Sequence, residues 1–155
     1  MCISFTNSVG TFAEKTFLIA CTLFLPFSSL LEHLNIKVKN IEDSVRFYQT
    51  AFPHWAIRGQ GEWQVNDKPG RWLHIGDDHQ YLTLNDNGDN NLSDFEKHPV
   101  GLSHFAFEVT GLEHLINRLT EAGFIKSGDG NPTQFRSNIY FFDPSGFEIE
   151  FVEYF

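Results

Sequence analysis

Cysteine is scarce in this chain of 155 residues, since only Cys2 and Cys21 are present. Two cysteines cannot build the disulfide framework of a small secreted domain, and they cannot supply the thiolates of a structural zinc site. A reducing, cytoplasmic location is therefore the expectation. Export is the alternative if the first thirty residues act as a leader.

Basic residues are also few. The chain has 11 Lys and Arg against 20 Asp and Glu, a formal net charge of −9, and no Lys/Arg cluster. Because nucleic-acid binding needs a basic surface that neutralises phosphates, DNA and RNA are not expected partners. The length suffices for one domain with a proper core, and the 17 Phe favour a sheet-rich interior.

The apolar run at 17–27 (FLIACTLFLPF) is too short to cross a membrane. It has eleven residues, whereas a transmembrane helix needs about 20. Stable membrane association is therefore not expected. The run has the length of a signal-peptide core, but Lys15 is the only basic residue before it and no small-x-small cleavage site follows. Residues 1–30 are predicted to be an appendage to the fold, with a leader as the alternative.

The most informative pattern is an internal repeat. Residues 31–38 (LEHLNIKV) are matched by 102–109 (LSHFAFEV), which places His104 71 positions after His33. The same offset relates apolar positions of the segment that follows, including Ile41 and Leu112. A constant offset through two elements indicates a duplicated supersecondary unit. Equivalent residues of such a pair tend to converge on a shared cleft, so the two histidines are candidate site residues.

Each half reads as a βαβββ module, with boundaries at 31–86 and 101–155 and a polar, acidic linker at 87–100. In the first module, period-2 alternation predicts a strand from His33, and Asn40 is predicted to cap a helix that ends near Phe52. Short strand candidates follow this helix around 55–58 and 62–65, and further strands are predicted at 71–75 and 80–84.

The second module repeats the plan. A strand at 102–109 precedes a helix from Gly111 to Ala122, and Thr110 with Glu113 is predicted to form its capping box. The strands predicted after this helix lie near 124–127, 138–142 and 147–153.

The closing hairpin carries the most specific motif, YFFDPSGFEIE from Tyr140 to Glu150. Together with the duplicated plan, it resembles the vicinal oxygen chelate superfamily, which contains glyoxalase I, extradiol dioxygenases, fosfomycin-resistance transferases and bleomycin-binding proteins. The resemblance covers residues 31–155. It implies an α+β fold of two tandem βαβββ modules, whose curved mixed sheets surround a shared cleft with the helices outside. It also implies a homodimer, with the cleft formed within one chain or exchanged between subunits.

The resemblance further implies a divalent metal site. In such proteins the ligands are a His on the first strand of each module and a carboxylate on the last strand, positions held here by His33, His104 and Glu150. Glyoxalase I-like enzymes carry Glu or Gln at a fourth position, which is Thr83 here. Two histidines and one carboxylate form a facial triad, suited to Fe²⁺ and also to Mn²⁺, Ni²⁺ or Zn²⁺. An outward, solvated Glu150 would satisfy the strand alternation equally well.

Tyr140 occupies a position where metal-dependent members carry a pocket tyrosine, so Tyr140 and Glu150 are the catalytic candidates. A core aromatic is the alternative for Tyr140. Strand parity predicts that further polar side chains line the cleft and, with Tyr140, bind substrate: Asn35, Lys37, Tyr81, Thr83 and Asn138.

The function implied is chelation of a small, oxygen-rich substrate by the metal, followed by lyase, isomerase or oxygenase chemistry. Two subfamilies fit less well. Extradiol dioxygenases carry a catalytic His in the stretch that reads Asn131-Pro132-Thr133 here, and fosfomycin-type transferases carry a Thr at the position of Asn35. The alternative function is metal-free sequestration of a small ligand, as in the bleomycin-binding members.

Overall fold

The structure is a computed structural model that describes residues 31–65, 67–88 and 101–155. The segment 1–30 and most of the predicted linker at 87–100 lie outside the described residues, so both predictions remain predictions. Among the described residues, no helix combines the length and the apolar character needed to cross a bilayer.

The first module contains one helix and a four-stranded sheet. Its elements are β1 (His33–Lys37), α1 (Ile41–Ala51), β2 (Ala56–Val65), β3 (Lys68–Gly76) and β4 (Tyr81–Asn85). The strand order is β1-β4-β3-β2, with β1 parallel to β4 and the other pairs antiparallel. Asn40 caps α1 as predicted, because its side-chain oxygen accepts a hydrogen bond from the Asp43 N–H at 2.8 Å.

The second module has the same plan. Its elements are β5 (His104–Glu108), α2 (Leu112–Glu121), β6 (Lys126–Asp129), β7 (Arg136–Phe142) and β8 (Glu148–Tyr154). The strand order is β5-β8-β7-β6, and β5 is parallel to β8. The predicted α+β fold of two βαβββ modules with curved mixed sheets is confirmed.

One prediction for the first module was wrong. The strands expected at 55–58 and 62–65 form the single strand β2, which continues through Gly59 and Gly61. The Trp72 indole lies close to this stretch, and a Cβ at Gly61 would meet its Nε1 at 2.8 Å. The glycines therefore make room for a neighbouring side chain and do not mark a turn.

The capping box predicted for α2 also does not form. The N-cap is Gly111, at φ 72°, and it makes no side-chain cap hydrogen bond. The Glu153 carboxylate on β8 takes this role, accepting the N–H of Gly111 at 2.5 Å and of Leu112 at 3.3 Å. A carboxylate from a distant strand thus replaces the Thr110 side chain. Its negative charge interacts favourably with the positive, N-terminal end of the helix dipole.

The two modules share one hydrophobic core. The Phe52 ring centroid lies 4.9 Å from that of Phe107 and 5.8 Å from that of Phe151, so module 1 packs directly on module 2. Arg118 on α2 donates hydrogen bonds to the carbonyl oxygens of Thr50 and Ala51 at 3.1 and 2.9 Å. These carbonyls belong to the last turn of α1, where a cation is favoured. The helices are thereby fixed to each other, and they hold the sheets that carry the site.

Candidate functional site

Four polar side chains from three strands meet on one face of the second sheet. The Nε2 of His104 on β5 lies 3.3 Å from Oε2 of Glu150 on β8. Tyr140 on β7 is paired directly opposite Glu150, and its ring packs edge-on against His104 with centroids 5.6 Å apart. The Nδ2 of Asn138 donates to Oε1 of Glu150 at 2.6 Å and to the Tyr140 hydroxyl at 3.3 Å. Both oxygens of the Glu150 carboxylate therefore have defined neighbours.

The orientation of the Asn138 side chain is fixed by a backbone N–H on the side away from Glu150. Its Oδ1 accepts the Asn131 N–H at 2.9 Å, which assigns the NH₂ group to the side that faces Glu150. Gly130 makes this close approach possible, because a Cβ there would overlap the carbonyl oxygen and Oδ1 of Asn138. Asn138 was predicted to bind substrate. In the structure it orients Glu150, so that Oε2 is the oxygen next to His104.

The electrostatic setting keeps Tyr140 protonated. Burial raises the pKa of its hydroxyl, and the neighbouring Glu150 carboxylate raises it further. Glu150 itself is 8% exposed. A buried carboxylate needs a partner to offset its lost hydration, and here the partners are one amide and one imidazole. The cluster thus presents a fixed carboxylate, an imidazole and a hydroxyl proton donor at one point.

His33 lies on the equivalent face of the first sheet. Its Nδ1 is 2.8 Å from Oε2 of Glu32, and its ring stacks on Tyr81 with centroids 4.9 Å apart and an angle of 14° between the planes. When Nδ1 donates to a carboxylate, Nε2 is the ring nitrogen that remains free. Histidines that bind metals commonly have such a carboxylate partner on the other nitrogen.

The strand registers reproduce the internal repeat. His33 is aligned with Tyr81 and Asn35 with Thr83, while His104 is aligned with Glu148 and Ala106 with Glu150. Thr83 therefore occupies in module 1 the position that Glu150 occupies in module 2. Of the three predicted metal ligands, the first module supplies one and the second module supplies two.

One chain does not bring all three predicted ligands together. His104 and Glu150 are adjacent, but within residues 31–65, 67–88 and 101–155 no three His, Cys, Asp or Glu side chains are placed to hold one metal ion. His33 contacts Glu32 and Tyr81 and borders a mostly apolar cavity of about 240 Å³. Phe105, Ala106 and Phe107 also line this cavity, so the first strands of the two modules meet there.

The remaining predicted substrate-binding residues share the face of His33. Asn35 accepts a hydrogen bond from Nδ2 of Asn85 at 2.6 Å. Lys37 is exposed at the end of β1, and Thr83 is buried. Tyr81 donates to Oε1 of Glu32 at 3.4 Å while its ring contacts His33. These residues form one polar strip along the paired strands β1 and β4.

A row of rings on the first sheet was not predicted. The ring of His74 lies 4.8 Å from that of Tyr81 and 4.6 Å from that of Trp72, and the Arg58 guanidinium lies 4.9 Å over Tyr81. Burial and the nearby charges of His33 and Arg58 lower the pKa of His74, so its imidazole is neutral at pH 7. The alternation of β3 could have placed His74 on this face. For Arg58 the sequence gives no such signal, because β2 contains a bulge there.

Two βαβββ modules, with first-strand histidines and a last-strand glutamate on their sheet faces, define a recognisable class of proteins. The family model of the Glyoxalase/Bleomycin resistance protein/Dioxygenase superfamily matches residues 30–151. The chain belongs to this superfamily.

Solved structures share the fold at low sequence identity. A glyoxylase/bleomycin resistance protein/dioxygenase domain from Frankia sp. EAN1pec is 21% identical, with a TM-score of 0.66 over 83% of this chain and 99% of that chain. Glyoxalase I of Leishmania major is 20% identical, with a TM-score of 0.61 over 81% and 87%. A mutant of the fosfomycin resistance protein FosX from Listeria monocytogenes, solved with Mn(II) and 1S,2S-dihydroxypropylphosphonic acid, is 17% identical, with a TM-score of 0.61 over 80% and 91%. These likenesses show the fold alone.

Proposed function

We propose that this protein is a divalent-metal-dependent enzyme of the glyoxalase/dioxygenase type that acts on a small, oxygen-rich substrate. The observation that carries the proposal is the His104–Glu150 pair, in which Asn138 holds one carboxylate oxygen and the other lies 3.3 Å from an imidazole nitrogen. An imidazole and an oriented carboxylate suit first-row divalent cations, and His33 with its free Nε2 supplies the third ligand. Fe²⁺, Mn²⁺, Ni²⁺ and Zn²⁺ all fit this set of donors.

The residues around the ion have different roles in catalysis. A bound divalent ion supplies Lewis acidity toward the substrate oxygens, the chemistry that lyases, isomerases and oxygenases of this type need. Tyr140 holds a proton on its hydroxyl oxygen at neutral pH and donates a hydrogen bond to a substrate oxygen. Asn138 donates to that hydroxyl oxygen and to Glu150, so it fixes both groups relative to His104.

We infer that the site is shared between two copies of the chain. His33 lies apart from His104 and Glu150 within one chain, so a second copy can supply it. The charges of the two sheet faces favour this arrangement. The face of His33 carries Lys37 and Arg58 beside Glu32, whereas the face of His104 carries Glu108, Glu148 and Glu150 beside Arg136. Basic side chains outnumber acidic ones on the first face, and acidic side chains outnumber basic ones on the second. A homodimer in which the first face of one copy covers the second face of the other pairs opposite charges and completes the site.

A metal-free ligand-binding protein is the second candidate. The row of rings formed by His33, Tyr81, His74 and Trp72 favours it, because an aromatic surface binds ligands without any chemistry. Such a protein has no use for the fixed Glu150 carboxylate next to His104. The two candidates therefore differ in whether a metal ion is bound.

Complementation between two variants tests the proposal. His33→Ala and Glu150→Ala each damage every site of their own homodimer, so we expect both to lose the metal. In a mixed dimer of the two variants, a shared arrangement places the intact His33 of one copy beside the intact His104 and Glu150 of the other. We expect the mixed dimer, refolded together and isolated through two different tags, to recover about half of the native metal content.

The outcomes separate the alternatives. A mixed dimer without metal, beside a native protein that binds metal, contradicts the shared site and leaves a site within one chain. A native protein without metal contradicts the enzymatic proposal and favours the binding protein. Metal content is measured by inductively coupled plasma mass spectrometry on protein purified without chelator.

A further inference from the structure

Both sheets contain a β-bulge at the same place. In the first sheet the β2–β3 register shifts between Ile57 and Gly59, and in the second sheet the β6–β7 register shifts between Lys126 and Gly128. Each shift involves one residue outside the regular pairing, Arg58 in module 1 and Ser127 in module 2. Bulges commonly re-aim a side chain next to a functional site.

The two bulge residues contact equivalent positions. Ser127 donates from Oγ to Oε1 of Glu148, the first residue of β8, at 2.9 Å. Arg58 lies over the ring of Tyr81, the first residue of β4, at 4.9 Å from its centroid. The repeat thus places a satisfied hydroxyl on the face that holds His104 and a cation on the face that holds His33.

The guanidinium of Arg58 has donors left over. Within the described ranges, no Asp or Glu oxygen lies within 4.0 Å of its nitrogens, and it makes no hydrogen bond. The acid beside it, Glu32, already accepts from His33 and Tyr81. Arg71 gives the contrast, because its guanidinium is paired with Glu42 at 2.9 Å and with Asp86 at 3.0 Å.

The place of Arg58 suits recognition of an oxyanion. The cation–π contact with Tyr81 restrains the guanidinium, whose forked donors match the two oxygens of a carboxylate or phosphoryl group. The same Tyr81 ring stacks on His33, so an anionic group held by Arg58 lies one ring away from the predicted metal ligand.

We propose that Arg58 is the anion-recognition residue on the His33 face of the first sheet, and that the ligand carries a carboxylate or phosphoryl group beside its chelating oxygens. This inference rests on the proposed function, because it names the substrate class of the same site. It also assigns different tasks to the two modules. The second module holds the catalytic candidates, and the first module recognises the charged group.

Anion titration of the metal-free full chain tests the inference. Inorganic phosphate and glycolate are the two probes, and they separate phosphoryl from carboxylate recognition. The measurement is the chemical shift of the Arg58 Nε–H and of the Tyr81 ring protons, followed by nuclear magnetic resonance. We expect saturable shifts with at least one probe. In Arg58→Gln the dissociation constant should be at least about tenfold larger, because a charge-assisted bidentate contact is lost.

Two further variants sharpen the test. Arg71→Gln removes an arginine that is already paired and should leave the dissociation constant unchanged. Arg58→Lys keeps the charge but loses the fork, and should bind more weakly than the native protein. Shifts with neither probe, or equal weakening by Arg58→Gln and Arg71→Gln, would overturn the inference. Because no metal is present, this result is independent of the metal content that tests the proposed function.

Discussion

Glu150→Gln is expected to weaken divalent metal binding by about 100-fold or more. Substitutions of residues that only hydrogen-bond to a metal ligand typically weaken it by about tenfold to 100-fold. The reason lies in Asn138. Its NH₂ group points toward Oε1 of residue 150 and donates a hydrogen bond, so only an acceptor oxygen fits there. A glutamine must therefore present its oxygen to Asn138 and its own NH₂ group to His104. The substitution removes the charge and also turns a hydrogen-bond donor toward the ion.

A competition titration with a fluorescent chelator measures this loss, and the same strand offers a matched control. Glu148 lies two residues earlier on the same face, where it accepts a hydrogen bond from Ser127. Glu148→Gln should bind metal within a few-fold of the native protein. Equal losses in the two variants would show that the charge of the face matters and that the position of Glu150 does not.

Phe151→Ala is expected to lower the free energy of unfolding by about 3–5 kcal/mol, the usual cost of removing a large buried aromatic side chain. Phe151 is fully buried and packs with the rings of Phe52, Phe107 and Phe141. Phe52 belongs to the first module, so the cavity would open at the contact between the modules.

Urea denaturation of the metal-free protein measures this change, because metal bound at the neighbouring Glu150 would itself alter the free energy of unfolding. Phe155→Ala is the matched control, because Phe155 is 74% exposed and its loss should cost less than about 1 kcal/mol. We expect both modules to unfold in one transition, since Phe151 and Phe52 belong to the same core. A small effect of Phe151→Ala, or two separate transitions, would contradict a shared core.

Local patterns predicted the parts of this fold that local physics determines. Alternation located β1, the repeat located β5, and the Asn40 cap located the start of α1. A match between residues 81–84 and 148–151 aligned Thr83 with Glu150, an equivalence that the strand registers now show. Each of these features depends on residues close in sequence or on a match between the two halves of the chain, so one sequence is enough to find them.

Features set by distant contacts escaped prediction. Glu153 reaches from β8 to the N-terminus of α2, and the Trp72 indole explains why Gly61 lies within a strand. The bulge that carries Arg58 interrupts the alternation from which the sheet face of a side chain is predicted. The role of Asn138 became visible only with the Asn131 N–H behind it. In each case the partner lies on another element or beyond a turn, and strand parity says nothing about it.

The two modules have diverged within one architecture. The second places an imidazole, a carboxylate, an amide and a phenol close together, whereas the first places two histidines among aromatic rings beside an arginine. Duplication supplies two equivalent sheet faces. Under the proposed function, one face retains the chemistry and the other is free to determine which substrate is bound.

The most direct test of this account is the metal content of the native protein, purified without chelator, beside His104→Ala and His114→Ala. His114 is exposed on α2 and serves as the matched histidine control. We expect near-stoichiometric iron, manganese, nickel or zinc in the native protein and in His114→Ala, and loss of the metal in His104→Ala. A native protein without metal, or a His104→Ala variant that keeps the metal, would contradict a metal site at His104 and Glu150.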